Sequence, residues 1–89
     1  MQISNIKILK LENKGRLKAI ATFVIDNSFA VHNVEIVEGN KGLFIAMPSK
    51  KTAGEYKDIC HPINQQTRDL IQSAILEEYN KVSDSNEEN

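Results

Sequence analysis

The chain contains one cysteine, Cys60, so it forms no internal disulfide, and this usage fits a reducing compartment. It has no tryptophan and few aromatics, which leaves little material for a platform on which single-stranded bases could stack. No apolar run approaches the ~18 residues of a membrane-spanning helix. The start, Met1-Gln2-Ile3-Ser4-Asn5-Ile6-Lys7, lacks the continuous apolar core of a signal peptide. A cytoplasmic protein without membrane contact is the expectation. Phosphate-binding glycine loops, zinc-protease motifs and paired CxxC cysteines are all missing. No cofactor, metal or small-molecule substrate is expected.

The overall charge is also small, at −1. A protein that coats nucleic acid through bulk charge is therefore excluded. The balance is uneven, however. Residues 1–62 hold nine Lys/Arg against six Asp/Glu, whereas residues 63–89 hold two against six. Any polyanion would have to bind at a local patch. With 89 residues there is room for one domain, 1–82, followed by an acidic stretch 83–89 without apolar residues, expected to be disordered. A core this small is marginal alone, so burial between two copies is a reasonable expectation.

Alternating apolar residues place strands over 3–11 and over Leu17, Ala19, Ala21, Phe23 and Ile25. In the first strand the alternation is imperfect and calls for a bulge or a switch of face. In the second, Ile20 and Val24 suggest partial cover on the other face as well, by a helix. Turns fall at Glu12–Gly15, Asp26–Ser28 and Glu38–Gly42. The strand from Phe29 to Val37 places Ala30, His32, Val34 and Ile36 on one face. Leu43 to Met47 are all apolar, which reads as a strand buried on both faces; Pro48 stops it. Lys50 and Lys51 follow on a basic loop, then a flexible loop at Thr52–Glu55 and a short last strand over Tyr56–Cys60.

From Gln65 to Lys81 the period becomes helical, with Leu70, Ile71, Ala74, Ile75 and either Glu78 or Val82 on one stripe, widened by Leu76 and Tyr79. Asn64 or Thr67 is the N-cap, with Ile63 as a hydrophobic staple. The whole is an α+β fold: a small antiparallel meander of four to five strands, then one C-terminal helix.

The nearest approach to a catalytic group is Cys60-His61 with Asp58. Neighbours in a strand point to opposite faces, so Cys60 reads instead as a small buried hydrophobe and His32 as a hydrogen-bonded core histidine. The charged groups carry more. Lys50 and Lys51 at the strand end, Lys14 and Arg16 at the first hairpin, and Arg68 with Gln65 and Gln66 at the helix start read either as solvated surface or as a phosphate-contacting patch.

Several blocks point further. Gly15-Arg16-Leu17-Lys18-Ala19, the strand Phe29–Glu38 with His32, the long run Gly39-Asn40-Lys41-Gly42-Leu43-Phe44-Ile45-Ala46-Met47-Pro48-Ser49-Lys50-Lys51-Thr52, and Asp58-Ile59-Cys60-His61-Pro62-Ile63-Asn64 together resemble the SpoVG family of bacterial septation regulators, over residues 1 to about 80. The resemblance implies a homodimeric, non-enzymatic cytoplasmic regulator of sporulation and cell division that binds DNA, with RNA as a second ligand. Lys50 and Lys51 match the family's basic pair, and Arg68 lies in the helix region implicated in sequence choice. Two departures stand out. Ala53-Gly54 replaces a loop that is usually longer and carries Pro-Asp-Gly, and Lys51 stands where arginine is common, without its bidentate fork. A protein-interaction module that uses exposed sheet edges is the alternative.

Overall fold

The computed structural model describes residues 1–82, so the acidic stretch 83–89 lies outside it. Four strands form an antiparallel sheet in the order β1-β2-β3-β4: β1 (Ile3–Lys10), β2 (Leu17–Ile25), β3 (Phe29–Gly39) and β4 (Gly42–Ala46). A separate two-stranded hairpin follows, β5 (Ser49–Thr52) and β6 (Glu55–Asp58), and then one helix, α1 (Gln65–Lys81). The α+β class and the meander are as the sequence indicates.

One sheet face carries the core. Ala19, Ala21 and Phe23 of β2 are buried there with Val31, Val34 and Ile36 of β3, Ile45, Met47, and Ile71 and Ile75 of α1. The strict alternation of β2 sets this face, and its two alanines let the helix lie close. Helix α1 packs on β1 and β4 across that face. Among the described residues, the face bearing Ile20 and Val24 carries no helix and lacks the cover expected for it.

Two bulges keep neighbouring strands facing the core. Ile3, Ile6 and Ile8 all pack against it, which requires an extra residue between Ile3 and Ile6. Asn5, at φ 50°, supplies it where the β1–β2 register shifts. The anticipated irregularity in this strand is thus a bulge. In β3 the same device was not legible. Asn33, at φ 64°, breaks the alternation between Val31 and Val34, and the β2–β3 register shifts beside it. Asparagine tolerates this conformation better than most residues. The bulge turns His32 outward, so it is exposed rather than in the core; its Nδ1 lies 3.5 Å from the Thr22 hydroxyl.

Strand β4 is not buried on both faces. Ile45 and Met47 are buried, but Phe44 is 42% exposed, on the side without a helix, its ring close over Gly39. A continuous apolar run cannot reveal that one face is open. The edge of β4 is partly closed: the side-chain oxygen of Gln72 accepts a hydrogen bond from the Ile45 N–H at 3.3 Å.

The helix begins at Asn64, whose side-chain oxygen accepts a hydrogen bond from the Thr67 N–H at 2.7 Å. This settles the N-cap on Asn64. Ile63 is 88% exposed and forms no staple; the residue it would have to meet at the fourth helical position is Arg68, which offers no apolar partner. Leu70 is likewise at the edge of the stripe, 43% exposed, while Ile71 and Ile75 carry the burial. Asn64→Ala is expected to cost about 1 kcal/mol, whereas Asn64→Asp retains the cap; thermal unfolding of both variants checks this.

Candidate functional site

The sheet has two distinct ends. Strands β2 and β4 both run antiparallel to β3 and therefore in the same direction, so Pro48 and the β5–β6 hairpin leave from the end that holds the β2–β3 turn. Helix α1 starts at that same end, where Met47, Phe23 and Ile71 line a common cavity with Asn64 and Thr67. It finishes at the other end, where the Lys10 ammonium sits 4.6 Å from the Tyr79 ring centroid.

This geometry divides the basic residues. Lys50 and Lys51 lie on β5, and Gln65, Gln66 and Arg68 lie in the first turns of α1, so all five share the hairpin end. Lys14 and Arg16 belong to the β1–β2 turn at the far end, where the Arg16 guanidinium donates to the Glu38 carbonyl at 2.9 Å. The fold therefore does not gather Lys14 and Arg16 into one patch with the others. At the helix start, the Gln65 amide donates to Asp69 at 2.8 Å. Gln66 is exposed and Arg68 half-buried.

Lys50 and Lys51 occupy not a loop but a strand. In the hairpin, Ser49 faces Asp58, Lys50 faces Lys57, Lys51 faces Tyr56 and Thr52 faces Glu55. The backbone N–H of Ile59 donates to the Pro48 carbonyl at 2.7 Å and closes the hairpin base. Thr52–Glu55, expected to be flexible, is a tight turn: Ala53 and Gly54 have φ of 53° and 84°, the paired positive values of a two-residue type I′ hairpin. The short loop in this chain is thus what fixes the register. All eight strand residues are exposed. Among the described residues, neither Lys50, Lys57 nor Lys51 has an ion-pair partner; the Lys51 ammonium lies 5.9 Å from the Tyr56 ring centroid. The ladder also sets Lys57, which local charge does not single out, directly opposite Lys50. The sequence signal for this is the two-residue turn: if Thr52 pairs with Glu55, Lys50 must pair with Lys57.

Cys60 and His61 do not form a catalytic pair. Strand β6 ends at Asp58, and both residues lie beyond it, exposed. The reading of Cys60 as a buried hydrophobe therefore fails. The His61 Nδ1 lies 3.1 Å from the carbonyl of Pro62 and makes no hydrogen bond to Cys60 or Asp58. Among the described residues, no cluster of three or more His, Cys, Asp or Glu is placed to hold a metal ion, and no helix is long and apolar enough to cross a membrane.

Between the hairpin base and the helix start lies an open cavity of about 400 Å³, lined by Met1, Phe29 and Val31 on the sheet side and by Cys60, Pro62 and Ile63 opposite. Its rim carries exposed apolar side chains: Phe29 is 62% and Ile63 88% accessible.

The sequence blocks that form this meander, hairpin and helix fall within the match to a family model. The SpoVG model covers residues 1–81. The chain belongs to the SpoVG family. A protein of Caldicellulosiruptor bescii named "Putative septation protein SpoVG" is 53% identical over 88 residues, covering 98% of this chain and 100% of that protein. A Clostridium acetobutylicum protein of the same name is 54% identical, covering 98% of this chain and 93% of the relative. A Clostridium kluyveri SpoVG is 55% identical over 92% of this chain and 86% of its own length.

Proposed function

We propose that this SpoVG-family protein is a regulator of septation and sporulation in the cytoplasm that binds nucleic acid, DNA first and RNA second, through its hairpin end. The reading is regulatory rather than enzymatic. The observation that carries it is the β5–β6 hairpin, which holds Lys50 and Lys51 in solvent, without ion-pair partners among the described residues, at the end of the sheet where α1 starts. Neutralising phosphates there would release counterions. Gln66 and Arg68 would add donors to phosphates or base edges. A two-fold dimer would present two such ends and favour paired half-sites. The exposed apolar rim at Phe29 and Ile63 supports assembly, since a patch of this kind on a small domain calls for a cover.

The test is a salt titration of binding by fluorescence anisotropy, on labelled duplex DNA and single-stranded RNA. The Lys50→Ala/Lys51→Ala variant should lose affinity, and the slope of log affinity against log salt should fall by about 1.8 on DNA. Unchanged binding by a folded double variant would remove the hairpin from the site.

A protein-interaction module is the second reading, favoured by the same apolar rim. Capture of partners with and without nuclease separates the two: partners retained after nuclease support protein contact.

A further inference from the structure

We infer that the β5–β6 ribbon is the element that enters the major groove of B-form DNA, with Lys57 as a contact residue paired to Lys50; this rests on the nucleic-acid reading above and names its ligand form. Residues directly opposite each other in an antiparallel pair project on the same face. One ribbon face therefore carries Lys50, Lys57, Thr52 and Glu55, and the other Ser49, Asp58, Lys51 and Tyr56.

Like charges directly across a ladder are destabilising, and a two-stranded hairpin in water is marginal by itself. This chain nevertheless sets Lys50 against Lys57 on a hairpin whose eight strand residues are all exposed. No carboxylate is paired with either lysine among the described residues. Two ammonium groups on flexible stems, one from each strand, suit two separate anions, one on each side of the ribbon.

A duplex supplies that arrangement. Paired strands lie ~5 Å apart, and the B-form major groove is ~12 Å wide and admits a two-stranded ribbon. A ribbon seated in it has a phosphate wall on each side. Lys50 and Lys57 reach opposite walls, and the cost of placing them together falls when both are neutralised. Thr52 and Glu55, at the tip end of the same face, fall over the base edges. A hydroxyl can meet several bases there, and a carboxylate accepts from the exocyclic amine of cytosine. The A-form RNA major groove is too deep and narrow for side chains to read. The tight Ala53-Gly54 turn keeps the tip small enough to enter.

The experiment compares the full chain and its Lys57→Ala, Lys50→Ala and Lys41→Ala variants. Anisotropy is measured on three mixed-sequence probes: duplex DNA, duplex RNA, and duplex DNA whose cytosines carry glucosylated 5-hydroxymethyl groups that fill the major groove. Circular dichroism confirms folding. Duplex DNA should bind more tightly than either other probe. Lys57→Ala and Lys50→Ala should each lower the salt slope on duplex DNA by about 0.9. Lys41, in the β3–β4 turn at the far end, should be silent. Wild-type binding of duplex DNA by Lys57→Ala, or equal affinity for the groove-filled duplex, overturns the inference while the broader reading stands. If the wild type binds no probe at low salt, both fall together.

Discussion

Ile75→Ala is expected to cost about 2–5 kcal/mol, through lost transfer free energy and the cavity left behind. In a domain of this size that lowers the melting temperature by on the order of 10–40 °C. The reason is the thinness of the core. One helix covers one sheet face, and only Ile71 and Ile75 of its seventeen residues are buried. Ile75 is fully inaccessible, and the sheet beneath it presents the short side chains Ala19 and Ala21, which cannot swing in to fill a void. Leu70→Ala is the internal comparison. The same periodic pattern includes Leu70, but at 43% exposure its loss should stay within about 1 kcal/mol. Calorimetry of both variants decides. Equal destabilisation would mean that the helix rests on the sheet through a different stripe.

The same contrast shows where the sequence speaks clearly. Strand β2 is legible because burial on one face forces alternation, and Ala19, Ala21 and Phe23 keep a strict period of two. Strand β3 is not, because Asn33 inserts one residue and exchanges the faces on either side of it. His32 then lies in solvent although it shares a period with Val34 and Ile36. A polar residue able to adopt positive φ, placed between two apolar pairs of opposite parity, is the mark of such a bulge. The apolar run Leu43–Met47 misleads for another reason. Hydrophobicity reports what prefers to leave water, and Phe44 has an uncovered sheet face to lie on rather than a second layer. Among the described residues nothing forms a second layer on that face, so the run reads as more deeply buried than it is.

The candidate site is split in the same way. The basic pair Lys50-Lys51 is legible as a local excess of charge after a strand stop. Its partner across the ladder is not, since Lys57 is seven residues away from Lys50 and joins it only through a turn whose type must be known. Lys14 and Arg16 show the converse: charge that looks related along the chain is separated by the meander, which carries the chain to one end of the sheet at Gly15 and leaves by the other at Pro48.

That separation makes the second large effect asymmetric. Lys50→Glu/Lys51→Glu is expected to weaken duplex DNA binding by about 30-fold or more at 0.15 M salt. Loss of two counterion-releasing contacts alone gives that factor, and the new negative charges add repulsion. Lys14→Glu/Arg16→Glu makes the same change in net charge, at the far end, and should weaken binding by less than about threefold once the Debye length of ~8 Å has screened it. Net charge is thus held constant while position varies, which distinguishes a local phosphate site from attraction to the molecule as a whole. The control must be folded, because Arg16 also donates to the Glu38 carbonyl; its melting temperature is measured beside its affinity. Equal loss in the two variants would point to a footprint spanning both ends of the sheet, with the duplex lying along the molecule. A loss confined to the hairpin variant places the duplex across one end, where a two-fold partner can bring a second ribbon to an adjacent turn of the groove.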